Sequence, residues 1–264
     1  EVTPRAAELD AQKDPEDSFS WEIVEAADRF GLRTMTLSEK YGGMGVDSLT
    51  TAMVVEELAR GDLGISVVFA QTLKIAAIME KALNEDQRTR SLVPFVEDPR
   101  AVLSIAITEP DSGSNGVLPH STPLKTRAVK TEGGWLANGM KHFISNSNRS
   151  RFFLVFMQTD PSKPMTEGVS CFLLERDHPG FTVGRVHDKM GERLANNSEL
   201  IFTDCFIPDA NLVGGADRGL KTLAAFMPSS NAYAAASILG VAVSLYEKAL
   251  AWAQTRVQGG KLLI

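Results

Sequence analysis

The sequence predicts a multidomain α+β protein, and three observations of apolar patterning predict it. Apolar residues recur with a helical period in the first hundred residues, with a period of two in the next stretch, and again with a helical period near the end. We therefore expect an all-α domain over residues 1–100 and a β-barrel or sandwich over 101–215. Residues 216–264 are expected to be the first helix of a C-terminal α-helical bundle.

The first domain is predicted to contain four helices. Trp21, Val24 and Ala27 share one face of the first, and Ser48 is a candidate N-cap for the second. A third helix is expected over 64–83, and Asn84 with Gln87 resembles a capping box that opens the fourth. Residues 1–16 are polar and contain two prolines, so this segment is predicted to be poorly ordered.

The second domain is predicted to be all β. Short apolar runs alternate with turn pairs, here Gly133-Gly134 and Asn138-Gly139. The predicted strands are 101–107, 124–131, 135–137, 141–145, 152–159, 169–175, 181–186 and 198–206.

The last predicted helix covers about 219–258 and has apolar residues on several sides. Such a helix needs several partner helices, and Lys261–Ile264 offers none. We therefore expect the chain to be the front part of a longer protein.

Composition excludes several classes of function. The chain has 264 residues and a net charge of −6, which argues against a nucleic-acid surface. Two cysteines make a disulfide framework improbable and favour a reducing compartment, the cytoplasm or, in a eukaryote, the mitochondrial matrix. The longest nearly apolar run, Ala232–Tyr246, is too short to span a bilayer, so no membrane span is expected.

Two polar turns are candidates for chemistry. The loop Ile107–Asn115 leaves a buried strand and can direct backbone N–H groups and the Thr108 and Ser114 hydroxyls at a ligand rich in acceptors. The segment Gly139–Asn146 places an aromatic ring beside a hydroxyl, an arrangement that can flank a planar cofactor. From the residues alone, a plain turn, or a core phenylalanine with a surface serine, is the more ordinary interpretation of the same segments.

Other patterns favour no chemistry. Lys189–Arg193 is interpreted as a structural turn between strands. The four histidines lack the spacing of a metal-binding motif, so no metal site is expected. Gly113-Ser114 is not a nucleophile elbow, and Cys171 and Cys205 are interpreted as small core residues.

Seven motifs, taken in order, resemble those of the acyl-CoA dehydrogenase family, from about Trp21 to Ile264. Each motif alone is modest, and their common order and spacing make the resemblance specific. They are Tyr41-Gly42-Gly43, Glu56-Glu57-Leu58-Ala59-Arg60, Ile107-Thr108-Glu109-Pro110 through Gly113-Ser114, Lys141–Asn146, Lys189 with Gly191 and Arg193, Phe202 with Asp204 to Pro208, and Arg256.

The resemblance implies a noncovalent FAD site. In the family, Phe143 corresponds to an aromatic residue against the isoalloxazine ring, Ser145 to a hydroxyl near flavin N5, and Arg256 to an arginine that reaches the FAD pyrophosphate of a neighbouring subunit. A homodimer or homotetramer is therefore expected. The implied cofactor-binding residues are Ile105, Ile107, Thr108, Gly113, Ser114, Phe143, Ile144, Ser145 and Arg256.

The resemblance also implies a set of substrate-binding residues, and this sequence differs from the family at several positions. The implied substrate-binding residues are Ser114, Thr166, Ser230 and Asn231. Asn231 stands where many members have arginine, and Gly259 stands where the family often has phenylalanine. Ser230 matches the place where a minority of members carry their catalytic glutamate, and serine cannot replace a carboxylate base. The usual base is expected beyond Ile264.

The implied reaction is α,β-dehydrogenation of an acyl-CoA to the 2-enoyl-CoA, with electrons passed to an electron-transfer flavoprotein. Two alternatives stay open from the sequence. One is a relative on the same fold without the base, such as an acyl-CoA desulfinase or a flavin oxidase. The other is a non-catalytic acyl-CoA- or flavin-binding subunit. The residues after Ile264 and the intact mass of the purified protein would discriminate among them.

Overall fold

The computed structural model describes residues 2–113, 123–224 and 227–264. Five helices precede the first strand, which agrees with a helical first part. They are α1 (Val2–Asp10), α2 (Trp21–Asp28), α3 (Ser48–Gly61), α4 (Leu63–Ala82) and α5 (Glu85–Glu97). The boundaries at residues 100 and 215 stay predictions.

The beginning of the chain is ordered, and the prediction of a poorly ordered segment was wrong. Val2–Asp10 is helical, and Arg5 forms an ion pair with Glu22 of α2. Further along, Arg193 donates hydrogen bonds to the carbonyls of Asp10 and Gln12 at 2.8 and 2.7 Å. These contacts come from residues distant in sequence, so local composition could not reveal them.

Helix caps set the element boundaries in this part. Asp47, not Ser48, is the N-cap of α3, because its carboxylate accepts the Thr50 N–H at 2.8 Å. The predicted capping box is confirmed, since Asn84 accepts from Gln87 N and the Gln87 side chain accepts from Asn84 N.

An eight-stranded mixed sheet follows. Its order is β6-β7-β3-β2-β4-β5-β8, and β1 pairs in parallel with β4. The ring of Phe181 in β6 lies 5.0 Å from that of Phe153 in β4, so distant strands of the sheet face each other across a core. The strands are β1 (Leu103–Ala106), β2 (Arg127–Thr131), β3 (Gly134–Ser145), β4 (Phe152–Gln158), β5 (Val169–Glu175), β6 (Phe181–Val186), β7 (Asn197–Pro208) and β8 (Leu212–Val213).

Strand β3 is continuous where the sequence predicted two strands and a turn. Asn138-Gly139 is not a hairpin turn; the pairing with β7 shifts between Ala137 and Gly139, which indicates a β-bulge. Gly139 has φ +135°, and a Cβ there would lie 2.6 Å from the Thr126 Cα. Glycine is therefore needed at position 139, because the backbone of Thr126 passes close to it. The predicted turn near Gly133 is confirmed as the hairpin between β2 and β3, but its two loop residues are Glu132 and Gly133, because Gly134 is already paired with Thr131.

The last helical region is described in two parts, on either side of residues 225 and 226. After the short α6 (Met165–Gly168) in the β region come α7 (Gly219–Ala224) and α8 (Met227–Thr255). Helix α8 ends before the predicted Gln258, and a hairpin of β9 (Val257–Gln258) and β10 (Lys261–Leu262) follows it. Gly259 and Gly260 both have positive φ, which suits a two-residue hairpin turn.

One face of α8 packs against α3 and α4. Its buried residues are Tyr233, Ser237 and Gly240. A Cβ on Gly240 would lie 2.1 Å from the Glu56 carbonyl oxygen, so only glycine permits this helix crossing. The Ser237 and Ser66 hydroxyls are 3.0 Å apart across it. Large apolar side chains on the other faces of α8 are exposed: Ile238, Leu239, Leu245, Tyr246 and Trp252.

Two helices, α4 and α8, have the length and apolar composition of membrane-crossing helices. Most of α4 is buried inside the protein, as in the core helix of a globular fold. The expectation of no membrane span considered only part of α8, whose described length is 29 residues. Length and composition alone are weak grounds for placing either helix in a bilayer.

Candidate functional site

The second half of β3 has an unusual backbone. Its pairing with β7 is irregular between Lys141 and Ile144, and Phe143 (φ 57°) and Asn146 (φ 62°) both adopt left-handed conformations. Such conformations cost on the order of 1–3 kcal/mol in non-glycine residues unless the surroundings hold them. The bulge leaves Phe143 55% exposed and directs Ile144 into the core. Strain of this kind frequently marks a functional site.

The Phe143 ring forms one wall of an open cavity. It stacks on His187 with centroids 4.3 Å apart and an interplanar angle of 29°, and it meets His142 edge-on at 4.5 Å. The cavity has a volume of about 640 Å³ and is lined also by Val186, Lys189 and Met190. An exposed aromatic face beside such a space can receive a planar ligand.

The Ser145 hydroxyl is oriented by the neighbouring strand. Asn197 donates from its amide nitrogen to Ser145 Oγ and to the Phe143 carbonyl, both at 3.1 Å. Lys189 in turn donates to Asn197 Oδ1 at 2.6 Å, which fixes the amide. No acceptor for the Ser145 hydroxyl proton occurs among the residues that the structure describes, so this proton is available to a ligand.

The loop that follows β1, described over residues 107–113 and called here the Thr108 loop, lies directly against the second half of β3. The Thr108 hydroxyl donates to the His142 carbonyl at 2.5 Å, and the His142 N–H donates to the Thr108 carbonyl at 2.9 Å. The structure therefore brings together the two turns that the sequence singled out separately. The hydroxyl of Thr108 has its proton engaged and can offer a ligand only its lone pairs.

A buried ion pair fastens this loop to β3. Lys141 is fully buried, and its ammonium group donates to Glu109 Oε1 at 2.8 Å and to the Ile107 carbonyl at 2.9 Å. Glu109 also accepts the backbone N–H groups of Lys125 at 2.7 Å and Thr126 at 3.0 Å. The carboxylate thus satisfies a turn and an ammonium group at once.

Burial and pairing act in opposite directions on the pKa of Glu109. Burial raises it, but the Lys141 charge and the hydrogen bonds outweigh burial, so the pKa lies below its ordinary value. Burial lowers the pKa of Lys141 to about 8, although Glu109 opposes that change. At neutral pH the pair is ionised, and Glu109 is not free to act as a base.

The remaining residues predicted to bind the flavin differ in their burial. Ile105 and Ile107 are partly buried and pack against the core between the helices and the sheet. The Ile144 side chain is buried in the core of the β region, so its side chain cannot contact a ligand. Gly113 lies at the end of the described loop, and Ser114 lies outside the described residues.

The predicted substrate residues of α8 adjoin a second cavity. Ser230 accepts a hydrogen bond from Lys74 at 3.0 Å, and Asn231 is exposed. The cavity has a volume of about 360 Å³ and is lined by Lys74, Ser229 and Tyr233 among others. Burial lowers the pKa of Lys74 to about 8. Sequence analysis overlooked Lys74, although it is the lone charge between residues 63 and 79 of α4.

Thr166 and Arg256 are separate from the Phe143 cavity in this chain. Thr166 lies in α6, in the connection between β4 and β5. Arg256 follows α8, and its guanidinium lies 5.9 Å from the Trp252 ring centroid. No described contact joins either residue to Thr108, Phe143 or Ser145.

Three side chains converge beside Phe143 that histidine spacing could not reveal. His142, His187 and Glu199 offer ligand atoms that all lie within 4.8 Å of one another. They come from β3, from the residue after β6, and from β7, so only the sheet brings them together. The sequence-based expectation of no metal site therefore rested on local spacing alone.

Two family profiles cover most of the chain. The N-terminal domain profile of acyl-CoA dehydrogenases matches residues 1–98, and the middle domain profile matches residues 104–205.

The chain belongs to the acyl-CoA dehydrogenase family.

Similar proteins agree with this assignment. The short-chain-specific acyl-CoA dehydrogenase of Clostridium acetobutylicum is 31% identical over 265 residues, which cover 100% of this chain and 67% of that protein. The butyryl-CoA dehydrogenase structure from Megasphaera elsdenii has a TM-score of 0.89 at 31% identity, covering 99% of this chain and 67% of that one.

A second similar structure contains a reduced flavin. It is a glutaryl-CoA dehydrogenase from Mycobacterium smegmatis in complex with FADH2, with a TM-score of 0.86 at 25% identity, covering 99% of this chain and 64% of that one. The present chain thus spans about two thirds of the length of these family members. The predicted fold class, with helical, β and helical parts in that order, is confirmed.

Proposed function

We propose that the protein is an FAD-dependent acyl-CoA dehydrogenase that converts an acyl-CoA to the 2-enoyl-CoA. The observation that carries the proposal is the contact between the Thr108 loop and the strained β3 segment, which presents an exposed Phe143 ring beside a hydroxyl with a free proton. Membership of the family supports the assignment and makes the alternatives, a base-lacking relative or a non-catalytic subunit, less favoured.

The residues present fit a flavin. Phe143 provides a flat apolar surface supported from behind by His187, and Ser145 provides a donor held in place by Asn197. FAD, when bound, would accept the hydride from the β-carbon of the substrate. The role of this chain is to hold the ring system, to direct the Ser145 proton at its edge, and to keep the Thr108 loop fixed through Lys141 and Glu109.

Two described carboxylates within the matched motifs, those of Glu109 and Glu192, are already engaged. Glu109 is engaged by Lys141 and by two backbone N–H groups. Glu192 lies 3.8 Å from Lys189, and burial raises its pKa. Ser230 cannot act as a carboxylate base. We therefore propose that the base lies beyond Ile264, in the part of the relatives that this chain does not cover.

The other components follow from the same proposal. Ser114, Thr166, Ser230 and Asn231 are proposed to line the acyl-CoA path, and an electron-transfer flavoprotein is proposed to accept the electrons. Helices of the uncovered third of the relatives are proposed to cover the exposed apolar faces of α8. The cytoplasm, or the mitochondrial matrix in a eukaryote, is proposed because both cysteines are buried and free.

Anaerobic titration of the FAD-loaded full-length protein with straight-chain, branched and cyclic acyl-CoAs tests the function. We expect one member of the panel to bleach the flavin stoichiometrically and to yield its 2-enoyl-CoA. Flavin that binds but is bleached by no acyl-CoA would favour the base-lacking alternative. A protein that is colourless and cannot be reconstituted with FAD would disprove the flavin site itself.

Ser145→Ala is expected to lower the flavin reduction potential by roughly 10–30 mV, because a hydrogen bond near N5 favours the reduced form by roughly 0.5–1.5 kcal/mol. Acyl-CoA affinity should change little. Spectroelectrochemistry measures the potential, and Thr182→Ala, which removes an exposed hydroxyl from β6, is the control. An unaltered potential together with a large loss of acyl-CoA affinity would assign Ser145 to the substrate instead.

Arg256→Ala is expected to weaken FAD binding roughly 10- to 100-fold, because a hydrogen bond to a charged group contributes about 1.5–3 kcal/mol. Arg256 makes no described contact with the flavin side of its own chain, so we propose that it serves a second copy in a homodimer or homotetramer. Equilibrium dialysis and light scattering measure affinity and assembly, with the exposed Lys248→Ala as the control. Unchanged FAD affinity and mass would exclude this role.

A further inference from the structure

Glu199 lies at the centre of a three-stranded patch with irregular pairing on both sides. The register of β3 against β7 shifts between Lys141 and Ile144, and the register of β6 against β7 shifts between Val183 and Val186. Glu199 of β7 lies opposite both irregularities. Because irregular pairing changes the direction of side chains, β3 and β6 can both point a side chain toward the Glu199 carboxylate.

Two imidazoles occupy those positions. His142 lies in the β3 bulge with Nε2 3.6 Å from Glu199 Oε1, and the His142 and His187 ring centroids are 4.4 Å apart. The backbone N–H of His187 donates to the Asn197 carbonyl at 2.8 Å, which fixes His187 against β7. Backbone contacts of the strands, rather than the side chains themselves, hold the three groups together.

One ring nitrogen of His187 has no hydrogen-bond partner among the described residues. The residue is only 8% exposed, and its Nε2 is buried without a hydrogen-bond partner among the described residues. Buried polar atoms are nearly always satisfied by protein, water or an ion.

A glycine and an exposed arginine adjoin the Glu199 carboxylate. A Cβ on Gly184 would lie 2.9 Å from Glu199 Oε2, so a larger residue there would crowd the carboxylate. Arg185 is the one lysine or arginine within ion-pair distance of Glu199 among the described residues; its guanidinium lies 3.7 Å from Glu199 Oε1 and is largely exposed. Arg185 can move into solvent when another cation arrives.

We propose that His142, His187 and Glu199 form a binding site for a divalent transition-metal ion of the Zn²⁺ type. Two imidazoles and one carboxylate, with a remaining open position, are a common donor set for such ions. Ligand atoms of a tetrahedral zinc site lie about 3.3 Å apart, given bonds of about 2.0–2.1 Å. The atoms here, within 4.8 Å of one another, need only small side-chain rotations to reach that spacing.

The site has a structural consequence for the segment next to it. His142 immediately precedes Phe143 in the bulge, and His187 stacks on the Phe143 ring. A metal held by both histidines would lock that ring in place. The proposal itself stands on the three side chains and does not depend on the flavin function.

Metal-free protein, prepared with a chelator, is titrated with Zn²⁺ against a chromophoric competitor and separately with Co²⁺. We expect one equivalent of tight binding and the intense visible Co²⁺ bands typical of four- or five-coordinate sites. His142→Gln, His187→Gln and Glu199→Gln should each weaken Zn²⁺ at least about 100-fold, because loss of even outer-shell partners commonly costs 10- to 100-fold. Far-UV circular dichroism of the metal-free variants checks folding.

His178→Gln is the matched control, because it removes a histidine whose Nε2 lies 2.8 Å from the Phe206 carbonyl, outside the cluster. Its Zn²⁺ affinity should equal that of the unmodified protein. Should a single variant misfold, the other two variants and the Co²⁺ spectrum of the unmodified protein decide the question. Absence of the Co²⁺ bands, or Zn²⁺ affinity unaffected by all three substitutions, would overturn the proposal.

Discussion

Replacing Lys141 with methionine is expected to lower the free energy of unfolding by about 3–5 kcal/mol, the range observed when one partner of a buried ion pair is removed. Methionine fills a similar volume, but it leaves the Glu109 carboxylate buried without its ammonium partner. The Ile107 carbonyl also loses its donor. Urea unfolding at pH 7 and a fixed FAD concentration measures the change, since bound ligand adds to apparent stability.

A double-mutant cycle separates the pair from the packing. Glu109→Gln keeps the shape of the side chain but can no longer accept both the Lys125 and Thr126 N–H groups with carboxylate oxygens. The double variant is expected to be more stable than the sum of the two single losses predicts. Lys125→Met, at an exposed lysine paired with Asp111, should change stability by less than about 1 kcal/mol. Equal losses at Lys125 and Lys141 would contradict the interpretation.

Lys74→Met is expected to raise the free energy of unfolding by up to about 3 kcal/mol at pH 7. The pKa of Lys74 is about 8 in the folded protein and 10.5 when exposed, and each pH unit of difference corresponds to about 1.4 kcal/mol. The cause is burial, since no carboxylate lies within ion-pair distance of its ammonium group in the described part of the chain. Its one hydrogen-bond partner there is the Ser230 hydroxyl.

The gain from Lys74→Met should depend on pH in a defined direction. Below pH 8 both the folded and the unfolded chain carry the proton, and the full cost of burying the charge is present. Between pH 8 and 10.5 the unfolded chain keeps a proton that the folded chain has lost, so the unmodified protein gains stability as pH rises. The difference between the variant and the unmodified protein should therefore shrink over this range.

Thermal or urea unfolding of both proteins at several pH values measures this difference, and other titrating groups cancel in it. Lys81→Met is the control, because Lys81 lines the same cavity but is exposed. It should change stability by no more than about 0.5 kcal/mol. A pH-independent effect of Lys74→Met would show that its ammonium group is solvated in the folded protein.

Local signals in the sequence determined most of the secondary structure. The capping box at Asn84, the hairpin turn at Gly133, and the strand 181–186 all follow from interactions within a few residues. These rules failed where distant residues intervene. The first helix is held by Arg193, and Asn138-Gly139 reads as a turn but is a bulge against Thr126.

The sequence also determined the family and the two turns of the candidate site, because seven motifs in a common order and spacing can be recognised without the structure. Only the tertiary structure decided how those turns pack against each other and which side chains hold them. Lys141 and Glu109 are charged residues whose pairing depends on burial, and Lys74 becomes unusual only when α8 covers it. The convergence of His142, His187 and Glu199 required three neighbouring strands, since strand pairing joins residues that no local pattern links.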